Sequence, residues 1–450
     1  MIEVGMDRRQ FLKAAGLTAA ALAIGNSAAL AETSSRRKHF CDPNRKLRIA
    51  CVGVGGQGSY DLECLSGEEI VALCDVDWGR PAVVKSFEKH PDAAKFKDYR
   101  KMLCEMGDKI DAVSITTPDH MHFPIAMMAM EMGKHVRVQK PMAHTIWETR
   151  KMAEAARQYG IVSQMGNQGH CGEGIRLLKE WLDDGAIGNV REVHVWTNRP
   201  IWPQGLQRPT EIETPPETLD WNLWQGVAPE RPFNKCYLPF AWRGWWDYGC
   251  GALGDMGCHT MDASFWALNL GAPISIEAES GGGNSESAPN WSIITYEFPS
   301  RGEKPPVTLK WYDGGKLPPQ PRDLEADRKL KGSGQVLVGE NGSIMDTTDY
   351  CNSPRIIPEA KMQAFKRPAK TIPRIPGGNP HKEWINACKG GPACCSNFDY
   401  ASLLTETVLL GNVAIRAGRK VYWNGINRWQ INIPGAPDIN KLLRHPYRKF

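Results

Sequence analysis

The run Gly53-Val54-Gly55-Gly56-Gln57-Gly58 has the spacing G-x-G-x-x-G, which suits it to hold the pyrophosphate of a dinucleotide. The first glycine permits a tight turn and the second lets backbone approach the phosphates. The third lets the following helix pack on its strand, and the N-terminus of that helix faces the phosphate charge. With 44 glycines in the chain the motif alone says little; its place between an apolar run and a helical one gives it weight. Asp75 ends the next apolar run, 22 residues after Gly53, where a carboxylate accepts hydrogen bonds from an adenosine ribose diol. An acid there repels a 2′-phosphate, so NAD is the expected cofactor, and Arg80 close by leaves NADP possible. Lys140 closes another apolar run just before Pro141. An ammonium at the carboxyl edge of a parallel sheet, where ligands bind, could polarise a substrate oxygen. Asp255 and His259 stand four apart and share one face of a helix. Asp255 could orient or stabilise the imidazole or bind a substrate hydroxyl. A metal pair and a structural histidine are the alternatives; the first lacks convincing further ligands, His170 being the nearest, so no metal is expected.

The elements that would position these residues follow from the apolar pattern. From Lys46 to about Met165, short apolar runs alternate with amphipathic stretches, which is the logic of a parallel sheet covered by helices. The predicted strands are 47–54, 70–74, 112–116, 135–138 and 161–165. Thr145 and Glu148 are spaced as a capping box for a helix over 145–159 that Gly160 stops. Beyond Cys171 the texture changes. A helix over 173–184 is followed by extended runs at 192–197, 292–298 and 307–312, with a further helix at 401–417. The expected fold is α/β: an N-terminal Rossmann domain with a doubly wound parallel sheet, then an α/β domain with an open, largely antiparallel sheet. The Pro- and Gly-rich stretches 199–239, 313–321 and 352–380 read as long loops of the kind that carry function or contacts.

At its start, Arg8-Arg9-Gln10-Phe11-Leu12-Lys13, an apolar run over 14–24 and Ala29-Leu30-Ala31 follow the order of a twin-arginine export signal. The apolar run is too short to span a bilayer, so no stable membrane span is expected in the mature protein. The expected organisation is a signal over 1–31, a polar linker over 32–45, the nucleotide domain over 46–168, a substrate and oligomerisation domain over 169–425, and a tail over 426–450. The expected location is the periplasm. A net charge of +5, dispersed along 450 residues, gives no reason to expect nucleic acid. Thirteen cysteines include no Cys-x-x-Cys pair. Cys51, Cys74 and Cys258 fall in apolar runs and read as small hydrophobes, buried before export by a route that carries folded proteins.

Four further segments carry a resemblance. Thr116-Thr117-Pro118-Asp119-His120-Met121-His122, Gly133-Lys134-His135-Val136, Gln139-Lys140-Pro141 and Gly254-Asp255-Met256-Gly257-Cys258-His259 together resemble the signature runs of the Gfo/Idh/MocA oxidoreductases. The resemblance covers nearly the whole mature chain, and the joint order of the four motifs is specific. The resemblance implies oxidoreduction of sugars or cyclitols, homo-oligomers such as dimers or tetramers, and cofactor contacts from Thr117, Pro118, His120, Gln139, Lys140 and Asn167. It places His170 toward substrate. Gln139 stands where the family usually has glutamate, so a charge near the nicotinamide is lost while a hydrogen-bonding side chain remains.

Oxidising a secondary alcohol requires removal of the hydroxyl proton while hydride leaves the same carbon, so a base and a cation are needed at that oxygen. Lys140, Asp255 and His259 form the expected catalytic set. Tyr248, in the aromatic run with Trp242, Trp245 and Trp246, offers a flat face for sugar C–H groups, although such rings also build cores. Three functions follow: a dehydrogenase or reductase of carbohydrates or cyclitols, a redox-neutral glycosidase or lyase that oxidises its substrate transiently with bound NAD, or a non-catalytic sensor. The catalytic set argues against the last.

Overall fold

The computed structural model describes residues 40–330, 332–425, 433 and 436–450. The export signal, linker residues 32–39 and most of 426–435 lie outside the described residues. The first half builds β1 (Arg48–Val52), α1 (Gln57–Leu65), β2 (Glu69–Cys74), α2 (Pro81–Lys89), β3 (Ala94–Phe96), α3 (Tyr99–Met106), β4 (Ala112–Ile115), α4 (His122–Glu131), β5 (His135–Gln139), α5 (Ile146–Gln158) and β6 (Ser163–Gly166). All six strands are parallel, in the order β3-β2-β1-β4-β5-β6. The order reverses between β1 and β4, and ligands bind outside the carboxyl ends of strands at such a point. The capping box forms as the spacing predicts: the Glu148 amide donates to the Thr145 hydroxyl, and the Glu148 carboxylate accepts from the Thr145 amide. Strand β3 was not expected, because three residues centred on Lys95 carry no apolar period.

The second half adds α6 (Glu173–Asp183), β7 (Val190–Trp196), α7 (Trp221–Gln225), α8 (Gly251–Thr260), α9 (Asp262–Ala267), β8 (Ser275–Gly281), β9 (Trp291–Phe298), β10 (Val307–Tyr312), β11 (Gly334–Gly339), β12 (Ser343–Asp346), β13 (Arg355–Ile357), α10 (Glu359–Ala364), α11 (Pro380–Cys388), α12 (Phe398–Ala417), β14 (Val421–Tyr422) and α13 (Pro437–Asn440). Its eight-stranded open sheet runs β13-β12-β11-β7-β10-β9-β8-β14. Only the β7–β10 pairing is parallel.

Two late segments return to the first sheet. Trp384, Ala387 and Cys388 of α11 pack with Leu47, Ile49, Leu65 and Ala112, while Gln164 Nε2 donates to the Pro380 carbonyl at 2.8 Å. Helix α12 packs against α5, α8 and β8, and Arg150 of α5 donates two bonds to Glu406 at 2.6 and 2.8 Å. The C-terminal tail is tied down: the Trp147 amide donates to the Leu443 carbonyl, the Arg448 amide donates to the Val227 carbonyl, and the Arg100 guanidinium lies 4.3 Å from the Phe450 ring. Among the described residues no helix is long and apolar enough to cross a membrane.

Candidate functional site

A cavity of about 460 Å³ opens at the carboxyl ends of the parallel strands and runs from the glycine loop to α8. At one end Gly53, Gly55, Gly56, Gln57 and Asp75 line it, joined by Arg80 and Phe450. Gly53 turns at φ +77, with the Thr116 carbonyl 2.5 Å from where a Cβ would stand. A Cβ on Gly58 would lie 1.8 Å from the Gly53 carbonyl, so the helix can meet the strand only there without a side chain. No side chain caps the N-terminus of α1, which leaves its amide end to an anion. Asp75 follows β2 directly, and its carboxylate accepts from the Val54 amide at 2.9 Å and the Asp77 amide at 3.1 Å. Burial raises this carboxyl, and those two amides with Arg80 oppose the shift.

Toward the other end, Thr117, Pro118, Gln139 and Lys140 line the cavity with Asp119, Gln168, Asp255 and His259. The Lys140–Pro141 bond is cis. Lys140 Nζ donates to Asp255 Oδ1 at 2.8 Å and to the Asp255 carbonyl at 2.6 Å; Arg243 Nε donates to the same Oδ1 at 3.0 Å. The carboxylate therefore bridges two cations, which hold it below the usual carboxylate range against the cost of burial. His259 Nδ1 faces Asn167 Oδ1 at 3.1 Å, which assigns the proton to Nδ1 and leaves Nε2 as an acceptor. Burial, with the Lys140 charge, holds this imidazole well below its ordinary range, so it is neutral. The Tyr350 ring meets it edge-on at 4.9 Å.

Three expected residues lie elsewhere. His120 is buried with its ring nitrogens 3.3 Å from the Tyr248 carbonyl and 3.1 Å from the Trp224 carbonyl, a packing position rather than a cofactor contact. His170 Nδ1 sits 2.9 Å from both Asp262 carboxylate oxygens and its ring packs on Tyr400 and Trp266. Tyr248 belongs to an interior aromatic cluster with Trp224, Tyr237 and Trp221. None of the three lines the cavity. Asn167 stands behind the wall and holds His259.

Sequence reasoning passed over Asp119, Arg243 and Tyr350. Asp119 Oδ2 accepts from the Cys250 amide at 3.1 Å; burial pushes its carboxyl up to about 7, with Arg243 and Lys140 pulling the other way. It lay inside a quoted run whose histidines drew attention. Arg243 had a signal in its place amid Trp242, Trp245 and Trp246; its guanidinium lies 4.3 Å from the Trp242 ring. Tyr350 comes from a loop with no pattern. Gln139 Nε2 donates to Asp61 Oδ2 at 2.7 Å, so a buried carboxylate stands beside the amide. That carboxylate sits on α1, paired with the Arg137 guanidinium at 3.1 Å and 3.0 Å from His381 Nε2.

The residues fit a nicotinamide dinucleotide. The glycine cradle admits no Cβ at two positions, and three buried polar atoms, Thr117 Oγ1, Asn167 Nδ2 and Gln168 Oε1, have no partner among the described residues.

Residues 47–167 match an oxidoreductase family's NAD-binding Rossmann fold, and residues 179–303 match that family's C-terminal α/β domain. Residues 5–25 match the twin-arginine translocation signal, which directs export by that pathway. The chain is 27% identical over 246 residues to the D-glucoside 3-dehydrogenase of Escherichia coli K12, covering 52% of this chain and 57% of that one. It is 33% identical over 189 residues to the alpha-N-acetylgalactosaminidase of Shewanella oneidensis, covering 36% and 40%. The matches thus span about half the length of these relatives. The WlbA dehydrogenase of Bordetella pertussis, crystallised with NADH and UDP-GlcNAcA, superposes with a TM-score of 0.60 at 17% identity, over 84% of this chain and 99% of that one. That likeness is one of fold. With both halves matched in order around one cavity, the chain belongs to the Gfo/Idh/MocA family of NAD-binding oxidoreductases.

Proposed function

We propose that the protein oxidises a secondary hydroxyl of a carbohydrate or cyclitol and keeps its dinucleotide bound throughout turnover. The observation that carries this reading is the Lys140 ammonium fixed on Asp255 beside a neutral His259, in the cavity that the glycine loop also lines. Bound NAD would supply the hydride acceptor. Gly53, Gly55, Gly56, Gln57 and Asp75 would hold its phosphate and ribose groups, and Thr117, Pro118 and Gln139 would flank the nicotinamide end. Lys140 donates a hydrogen bond to the substrate oxygen and stabilises charge there as the proton leaves. His259 Nε2 accepts that proton, while Asn167 fixes the ring through Nδ1. Trp242, Phe240 and Tyr350 in the wall give apolar faces to sugar C–H groups.

Export shapes this chemistry. Nicotinamide cofactors are cytosolic metabolites, so an exported enzyme that released its cofactor would have no supply. Binding only to the folded state also stabilises the protein, by about 4 kcal/mol at a thousandfold excess over Kd. Each cycle must then restore the cofactor, through a second substrate or through the same sugar. The resemblance to an alpha-N-acetylgalactosaminidase favours the second route as an alternative reading: redox-neutral glycan cleavage by transient oxidation.

The test begins with mature protein purified from the periplasm, denatured and assayed for released dinucleotide. Near-stoichiometric NAD is expected; an empty protein that works only with added NAD would refute retention. Holoprotein is then mixed with sugar and glycoside panels while nicotinamide absorbance and aglycone release are followed together. Absorbance change without release supports net oxidoreduction, release without net change supports the alternative, and neither on any sugar or cyclitol overturns both.

A further inference from the structure

Three residues remote in sequence meet away from the cavity. Cys171 follows β6, Glu383 lies on α11, and Cys395 precedes α12. The two sulfurs are 3.6 Å apart, Cys171 Sγ is 3.3 Å from Glu383 Oε2, and the His170 carbonyl is 3.6 Å from Cys395 Sγ. Their possible ligand atoms all lie within 4.8 Å of one another. We propose that Cys171, Cys395 and Glu383 bind one zinc-class divalent cation that fastens these three segments together.

A tetrahedral zinc with bonds of about 2.3 Å to sulfur separates two thiolates by about 3.8 Å, and a sulfur from an oxygen by about 3.5 Å. The sulfur–sulfur distance of 3.6 Å and the Cys171 sulfur–oxygen distance of 3.3 Å lie within about 0.2 Å of those figures, whereas a disulfide requires the sulfurs to close to about 2.05 Å. The carboxylate is also oriented in advance. Glu383 Oε2 accepts from Gln164 Nε2 at 2.9 Å and Oε1 accepts from the Cys395 amide at 2.9 Å, the kind of support that holds a metal ligand in place. Among the described residues Glu383 has no ion-pair partner, so no side-chain cation competes for the carboxylate. Cation binding displaces both thiol protons to solvent and leaves the fourth position to water or the His170 carbonyl. Spacing along the chain could not show this site, because 224 positions separate the two cysteines. The expectation of no metal rested on local spacing alone.

The consequence is structural. Asn167 and Gln168, at the nicotinamide end of the cavity, sit on the segment that this cation would anchor. The proposal is independent of the substrate reading. Mature holoprotein purified without chelators is analysed by plasma mass spectrometry, and zinc is released by a mercurial and read with a chromophoric chelator. About one zinc per chain is expected, with affinity weakened by about 10–100-fold or more in Glu383→Gln and loss in the Cys171→Ser, Cys395→Ser double variant. If the variants fail to fold, zinc titration of chelator-treated unmutated protein decides. Binding of no zinc overturns the proposal, as does undiminished zinc in the folded double variant or a Cys171–Cys395 disulfide in non-reduced peptides.

Discussion

Asp255→Asn isolates the charge that joins Lys140 to Arg243 while conserving shape. The asparagine oxygen can still accept from both cations, and Lys140 keeps its 2.6 Å bond to the residue 255 carbonyl, so the ammonium stays in place. What disappears is one negative charge between two positive ones. Breaking a buried ion pair costs about 3–5 kcal/mol. The Lys140 and Asp255 side chains are 14% and 13% exposed, which places this loss near about 2–4 kcal/mol. That corresponds to a fall in Tm of roughly 2–5 °C for a chain of this size. Asp255 is also among the groups that raise Asp119, so in the variant the Asp119 carboxyl falls below 7 and ionises as a partial replacement. Turnover should drop about 10²–10³-fold with bound dinucleotide unchanged, because an ammonium facing an uncompensated guanidinium no longer stabilises the substrate oxygen correctly. Calorimetry, dinucleotide content and kcat on the responsive substrate measure the three effects. A variant with unmutated Tm and kcat would refute the bridging role.

The remaining expectations concern the same cavity and its support. Asp119 is raised in the folded state above its unfolded value, so its contribution to stability is full below about pH 4 and is lost as pH rises toward 7, at roughly 1.4 kcal/mol per unit. Asp119→Asn should flatten that slope in urea unfolding measured from pH 4 to 8; identical slopes would show that the group does not titrate there. Lys140→Ala and His259→Ala should each retain fold and cofactor yet lose about 10²–10⁴-fold in turnover, and full activity in either would remove that residue from the catalytic set. Asp75→Ser should weaken NAD binding and narrow its margin over NADP, measured by calorimetry on stripped protein; equal affinities in the unmutated chain would contradict the assignment of Asp75. Trp384→Ala should cost about 3–5 kcal/mol, because a fully buried ring on the first sheet leaves a cavity, and an unchanged denaturation midpoint would show that α11 is dispensable.

The parallel sheet was legible because its strands are short apolar runs separated by helical periods, and both faces of such a sheet are buried. Strands β8 and β11 to β13 were not. Ser275–Gly281 carries Glu277 and Glu279 on an exposed face, and β11 and β12 reveal themselves only by pairing. The glycine loop, Asp75, Lys140, Asp255 and His259 converge as expected, since motif order and sheet-edge position fix them. His120, His170 and Tyr248 were misplaced for one reason: a side chain near a motif can turn inward, and its direction depends on partners such as the Trp224 carbonyl or Asp262 that are distant in sequence. Asp119 becomes visible only when the two halves meet, for its carboxylate accepts from the Cys250 amide of the second half.

Helix α11 closes one face of the nucleotide-binding sheet, yet Pro380 follows Gln164 by 216 positions. On a ribosome adding about 5–20 residues per second, roughly 10–45 s pass between synthesis of the sheet and arrival of its cover. For that interval Leu47, Ile49 and Ala112 lack Trp384, and the nascent domain presents an apolar face that chaperones can occupy. The dinucleotide domain therefore cannot mature in the order it is made, and a truncated 46–168 fragment lacks part of its own core. Export of such a chain must wait for its distal third, which a machinery that admits only finished folds enforces.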